Sequence, residues 1–142
     1  GWVELVKYLS GLGYKVINIS KDGDKIEGVT NLEDDSMENT MNVIYHSEFV
    51  VGLSSGLSWL SWGLGKHVVM ISNFTESDHE FTINSTRITN NKVCNGCWNN
   101  PMFKFDKGDW YWCPEHKGTE RQFECHKSIT PEMVISQIQH LL

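Results

Sequence analysis

Two sets of residues in this sequence have types and spacings that support chemistry. The first is a run of small residues, Ser54, Ser55 and Gly56, followed by Leu57. It lies between an apolar stretch of strand length, residues 49–53, and a segment of helical pattern, residues 57–64. The second is a group of four cysteines: Cys94 and Cys97 in a C-x2-C knuckle, then Cys113 and Cys125 after 15 and 11 intervening residues. The first set suits the binding of an anion, the second the binding of a metal.

Where a strand gives way to a helix, the first backbone N–H groups of the helix have no intrahelical partner and the helix dipole is positive, so a phosphate is a natural guest. The hydroxyls of Ser54 and Ser55 can add hydrogen bonds, and Gly56 allows a ligand close to the backbone. The same residues serve two other readings. A serine can simply cap the helix while Gly56 relieves a tight turn, and no lysine follows as it would in a P-loop. Gly52-Leu53-Ser54-Ser55-Gly56 also spells the Gly-x-Ser-x-Gly of a hydrolase nucleophile elbow, with His67, His79, His116, His126 and His140 available downstream.

For the cysteines, two thiolates on a tight turn and two from the returning chain complete a tetrahedron around one ion. The rival is a pair of disulfides in an extracellular domain, which the glycosylation-type triplets Asn73-Phe74-Thr75 and Asn84-Ser85-Thr86 support. Cysteines of a C-x2-C knuckle seldom bridge each other outside redox enzymes, and the spacing favours the metal. His116 and His126 are near enough in sequence to replace a cysteine, although four thiols suffice. Such a site suits zinc or iron, and with four protein ligands it is structural, leaving no open position for catalysis.

The elements that must position these residues follow from apolar periodicity. Residues 2–12 carry Val3, Leu5, Val6, Leu9 and Leu12 mostly on one helical face, with Gly11 and Gly13 able to end the helix. Residues 14–19 read as a strand and residues 21–24 as a turn. Residues 35–44 read as a helix with Asp35 or Ser36 at its N-cap, residues 68–71 as a buried strand, and residues 131–142 as a helix capped by Thr130 with Pro131 at its first position. Helices alternating with short, continuously apolar strands predict an α/β fold with a parallel sheet covered on both faces. Regularity is expected to fade after Ser72, in a segment rich in Asn, Thr, Gly, Lys and aromatics. Asn73, Thr75, Glu76, Asp78 and His79 follow the last apolar strand and are expected at the ligand edge of the sheet or in a solvated loop. Trp59, Trp62, Trp98, Trp110, Tyr111 and Trp112 are expected to pack, or to form a subunit contact.

At 142 residues the chain is expected to form one domain, residues 1–142, with the cysteine segment at 90–127 as a finger-like insertion. About three strands are legible where a doubly wound domain has five or six, and Gly1 falls within a helix already under way, so an upstream segment is expected. A formal net charge of −6 supplies no basic stripe for nucleic acid, and no apolar run reaches the roughly 20 residues of a membrane span.

The stretch from Val51 through Gly52-Leu53-Ser54-Ser55-Gly56-Leu57-Ser58-Trp59-Leu60 to Met70, followed by Ile71-Ser72-Asn73-Phe74-Thr75-Glu76, resembles the autotransporter heptosyltransferases, and the resemblance extends to the terminal Ser128-Ile129-Thr130-Pro131-Glu132-Met133-Val134. It departs from the general heptosyltransferase pattern, where Asp-Thr stands for Ser54-Ser55 and a histidine for Trp59. The resemblance implies the C-terminal, Rossmann-like half of a two-domain (GT-B) glycosyltransferase. It implies ADP-heptose as donor, with its diphosphate on Ser54, Ser55, Gly56 and Leu57, and transfer to serine hydroxyls of an autotransporter adhesin. It further implies an iron bound by Cys94, Cys97, Cys113 and Cys125, a homo-oligomer, and a bacterial cytoplasmic location. The catalytic base of the family lies in its N-terminal domain, so none is expected here and the chain alone should not transfer. The rival of a different class is a non-catalytic, metal-stapled interaction module.

Overall fold

The computed structural model describes residues 1–20, 26–109 and 111–142. The turn expected at residues 21–24 and Trp110 lie outside the described residues. In chain order the elements are α1 (Trp2–Gly11), β1 (Ile17–Asn18), β2 (Thr30–Asn31), α2 (Met37–His46), β3 (Phe49–Leu53), α3 (Gly56–Gly63), β4 (His67–Ile71), β5 (Ser85–Ile88), α4 (Glu124–Lys127) and α5 (Pro131–Ile138). Two short 3-10 turns, Ser77–His79 and Gln139–Leu141, complete the list.

Several boundaries follow from local chemistry. Ser36 caps α2 by accepting a hydrogen bond from the Asn39 amide at 3.3 Å, and Thr130 caps α5 by accepting one from Met133 at 3.3 Å, with Pro131 opening the helix as expected. At the end of α1, Gly13 takes a φ of +94° that suits glycine.

β4 is the centre of the molecule. It pairs in parallel with β3 on one side and β5 on the other, with Leu53 opposite Ile71 and Ile71 opposite Ile88. Its alternate residues serve two layers. Val69 and Ile71 join Leu5 and Leu9 of α1, Ile88 of β5, and Val134 and Ile138 of α5 in one apolar cluster. Val68 and Met70, equally buried, point to the other face, where α3 packs on β3 and β4. The expected parallel sheet with helices on both faces is the one observed.

Two expectations are corrected. The strand expected over residues 14–19 pairs only at Ile17 and Asn18, with β2 in a separate two-stranded sheet. Regularity does not end at Ser72: β5 adds a third strand to the main sheet. Its sequence, Ser85-Thr86-Arg87-Ile88, buries a single apolar side chain, so it lacks the apolar run that marks a central strand.

Candidate functional site

The candidate anion site forms where β3 stops at Leu53 and α3 starts at Gly56. Ser55 holds the N-cap position in extended backbone, φ −153° and ψ 169°, yet its side chain makes no capping hydrogen bond. Capping therefore does not occupy the Ser55 hydroxyl. Ser55 and Gly56 are exposed, while Ser54 and Leu57 are half-buried. A Cβ placed on Gly56 would meet no atom within 4 Å, so the approach to the start of the helix is open. The turn has none of the backbone strain of a nucleophile elbow: among described non-glycine residues, positive φ is confined to Asn84 and Phe123.

Small residues hold the helix against the sheet and so aim its first turn. Ser58 and Ser61 are buried, and their hydroxyls donate back to the carbonyls of Leu53 at 2.6 Å and Leu57 at 2.7 Å. A Cβ on Gly52 would stand 3.1 Å from the Ser58 oxygen, closer than ordinary packing. On the outer side, Trp62 stacks on Phe81 at 5.0 Å and donates its indole N–H to the Ile83 carbonyl at 2.9 Å, while Trp59 meets Phe81 edge-on. Both tryptophans remain partly exposed.

Because β3 and β4 are parallel neighbours in register, the loop after β4 leaves the sheet beside the serine turn. The structure divides the residues expected there. Glu76, Asp78 and His79 are exposed. Asn73 is fully buried: its amide nitrogen donates to the Cys125 carbonyl, and its side-chain oxygen accepts from the Asn90 amide at 3.0 Å. Thr75 is buried too, its hydroxyl donating to Glu80 at 2.7 Å, with Ser72 also on that carboxylate and Arg87 paired to it. Asn73 and Thr75 are thus braces rather than ligand contacts. The Glu80–Arg87 pair, absent from the sequence reading, spans β5 and its approach. Two opposite charges seven residues apart gave no signal above ordinary loop composition.

The cysteine segment is fastened to this same loop. The Gly96 amide, inside the C-x2-C knuckle, donates to the Asn73 carbonyl at 2.8 Å, Trp98 N–H to the Phe74 carbonyl at 3.0 Å, and Glu76 N–H to the Asn99 side chain at 2.9 Å. Gly96 takes φ +69°, a conformation that favours glycine, and a Cβ there would displace the Glu76 carboxylate. Phe74, Trp98, Phe105 and Trp112 form an aromatic cluster, edge-to-face except for the tilted Phe74–Trp98 pair, with Trp112 buried and Tyr111 exposed.

All four cysteines are free, so the disulfide alternative is not realised. Cys97, Cys113 and Cys125 are buried and Cys94 half-buried. Burial, reinforced by the neighbouring Cys94 and Cys113, pushes the Cys97 thiol up to about 11; burial, with Cys94 next, does the same for Cys125. Burial and then Glu115 and Glu124 raise Cys94 as well. The sulfurs are thus close enough to oppose one another's ionisation, an environment whose thiolates a cation would relieve. Among the described residues, the donors that come within 4.8 Å of one another as a group of three belong to Cys94, Glu115 and His116, so of the four expected cysteine ligands this group includes Cys94 alone. Sequence reasoning named His116 as a spare ligand but passed over Glu115, which its place in Cys113-Pro114-Glu115-His116 could have signalled. Burial lowers the pKa of His126, whose Nδ1 lies 3.5 Å from the Cys125 sulfur.

The site thus consists of an open, uncapped helix start on a parallel α/β sheet, with a segment carrying four free cysteines fastened to the adjacent loop. No family model matches the chain. It is 42% identical over 99% of its length to the autotransporter heptosyltransferase Aah of Escherichia coli, and 31% identical over 99% to the inactive autotransporter heptosyltransferase BimC of Burkholderia thailandensis. Among solved structures it superposes with TM-score 0.88 and 38% identity on the dodecameric iron-containing heptosyltransferase TibC in complex with ADP-D-β-D-heptose. The match covers 99% of this chain and 40% of that one. The chain is thus similar over nearly its whole length to autotransporter heptosyltransferases, and it spans 38% of the length of Aah and 35% of that of BimC.

Proposed function

We propose that this chain is the donor-binding part of an autotransporter heptosyltransferase, holding the diphosphate of ADP-heptose on Ser54, Ser55, Gly56 and Leu57. The observation that carries the reading is the α3 start: no side-chain cap, Ser55 and Gly56 exposed, and Ser54 beside them at the carboxyl edge of β3. A relative of the same fold is known in complex with ADP-D-β-D-heptose, which supports this donor. Chemically, glycosyl transfer needs the departing diphosphate stabilised as negative charge builds on it, and fixed amides at a helix start supply that stabilisation without reorganisation. Residues 1–142 form the C-terminal nucleotide-sugar-binding part in this reading, and the base that activates the acceptor serine of the adhesin lies outside them.

Residues 90–127 act as a metal-binding finger. Cys94, Cys97, Cys113 and Cys125 would hold the ion, and the chemistry of the donor set, four reduced and mostly buried thiols, fits iron or zinc; iron is favoured because TibC is described as iron-containing. When bound, the metal supplies cross-linking alone. The chain's own residues carry that constraint onward, from the knuckle through Gly96, Trp98 and Asn99 to Asn73, Phe74 and Glu76 beside the donor turn. Reduced thiols also support a cytoplasmic setting, and the dodecameric TibC supports a homo-oligomer. Among the described residues, no helix is long and apolar enough to cross a membrane.

The second reading, a non-catalytic, metal-stapled interaction module whose serine turn is only a helix cap, is favoured by one relative being named inactive. Incubating the intact protein with ADP-heptose and an autotransporter adhesin separates the two. Heptose on adhesin serines, detected by mass spectrometry and lost with Ser55→Trp, supports the transferase; absence of both transfer and ADP-heptose binding supports the module.

A further inference from the structure

We infer that His79 is a further donor-binding residue, and that Asn99 of the cysteine segment is the positioning residue that keeps the hydrogen of its ring on Nε2. The inference rests on the reading of the 54–57 turn above. His79 ends the 3-10 turn Ser77–His79, and its backbone N–H donates to the Glu76 carbonyl at 3.2 Å. Asn99 joins both ends of that turn. Its side-chain oxygen accepts from the Glu76 amide at 2.9 Å, and its Nδ2 lies 3.3 Å from His79 Nδ1. The Glu76 N–H can be met only by the oxygen, so the amide nitrogen faces the ring and donates to Nδ1. A neutral imidazole that accepts at Nδ1 carries its hydrogen on Nε2. His79 is exposed, and among the described residues its Nε2 has no hydrogen-bond partner, so this N–H is unspent. Trp98 also meets the ring edge-on, with centroids 6.3 Å apart.

The chain after His79 fixes its level along α3. The Ile83 carbonyl accepts the Trp62 indole N–H, and Phe81 lies against both Trp62 and Trp59, each with 5.0 Å between ring centroids. Followed backwards, the segment climbs α3 toward its start. Trp59 stands one turn below Ser55, its amide donating to the Ser55 carbonyl at 3.2 Å. Four helical residues rise about 6 Å, and the step from Phe81 back to His79, through Glu80 in extended backbone (φ −123°, ψ 165°), spans about the same. His79 therefore stands at the carboxyl edge of the sheet, level with the serine turn. The acceptor its N–H fits is an oxygen of a nucleotide sugar seated on that turn, from either the diphosphate or the heptose.

The test titrates the intact, metal-loaded protein with ADP and with ADP-heptose at about pH 8, where an ordinary imidazole is neutral. The proteins are the wild type, His79→Ala, His79→Gln, Asn99→Ala, the double variant carrying both alanines, and Ser55→Trp as the control for the turn. His79→Ala is expected to weaken ADP-heptose binding about 3- to 10-fold, the effect of one hydrogen bond, and His79→Gln, which returns an N–H, to recover most of it. An equal loss for ADP assigns the acceptor to the diphosphate, and a loss confined to ADP-heptose assigns it to the sugar. Asn99→Ala is expected to weaken binding about 2- to 5-fold alone and not at all in the His79→Ala background, a coupling that a merely structural asparagine would not show. Unchanged affinity in His79→Ala, alongside loss in Ser55→Trp, would overturn the inference and leave the 54–57 reading standing. Additive losses in the double variant would overturn the positioning role of Asn99. Equal binding, or none, in the wild type and Ser55→Trp would overturn the 54–57 reading and this inference together.

Discussion

The serine turn and the cysteine segment use the same chain in opposite ways. At the turn, regular elements do the positioning: β3, α3 and the buried Ser58 and Ser61 fix a helix start whose own polar groups are left open. In the cysteine segment there is little regular structure, and side chains do the positioning, with Asn73, Asn90, Asn99 and a cluster of aromatic rings tying irregular backbone to the end of β4. The serine turn leaves the Ser55 hydroxyl free of any capping bond, whereas Asn73, Asn90 and Asn99 spend their hydrogen-bonding groups on holding the cysteine segment to the sheet edge.

The strongest break in this contrast is Cys125→Ser. It is expected to abolish metal binding and to strip hydrogen-exchange protection from residues 90–127, while the amides of α1, β4 and α5 keep theirs, because their apolar cluster includes no cysteine. A uniform loss of protection would mean that the staple and the sheet fold as one unit. Next in size is Asn73→Ala, which leaves the Cys125 carbonyl and the Asn90 amide without their side-chain partner. At roughly 1–3 kcal/mol for each buried group left unsatisfied, a loss of about 2–6 kcal/mol is expected in denaturant unfolding. An effect below about 0.5 kcal/mol would show that the link between knuckle and sheet edge is dispensable.

How much could be read beforehand divides along the same line. Continuous apolar runs gave β3 and β4, and Ser36, Thr130 and Pro131 marked two helix starts, because those signals are local. The serine turn was legible for the same reason: it sits between two elements whose periods change. β5 was not, since an edge strand that buries only Ile88 carries polar residues. Nor were the roles of Asn73 and the Glu80–Arg87 pair. Asn73 looked like a ligand-edge residue by its place after β4, but its partners lie at residues 90 and 125, and composition says nothing about contacts at that separation. Cysteine spacing announced a cluster, while the Glu115, His116 and Glu124 neighbourhood appears only once the chain has folded back.

Two smaller effects sharpen the comparison. Gly56→Ala meets no atom within 4 Å, so at the first position of α3 it should raise stability by about 0.5–1 kcal/mol, measured as a higher Tm. Destabilisation would show that the openness of the turn is not as described. The smallest effect involves His67, whose Nε2 lies 2.8 Å from the Thr86 hydroxyl and whose pKa is lowered, chiefly by burial and then by His140. A lowered folded pKa means the unfolded chain binds the proton more readily, so this group costs nothing above its ordinary value of 6.5 and destabilises increasingly as pH falls below it. Replacing it in His67→Gln should flatten the Tm profile between about pH 5 and 6.5, and an unaltered profile would assign the acid sensitivity elsewhere.

The central claim, that the 54–57 turn receives the donor's diphosphate, is tested most directly by calorimetric titration of the intact, metal-loaded protein with ADP, beside a Ser55→Trp variant of equal Tm and metal content. Saturable binding that weakens at least about tenfold in the variant, or roughly 1.4 kcal/mol, is the predicted result. Equal ADP affinity in the two proteins would contradict it and move the nucleotide to another part of the molecule.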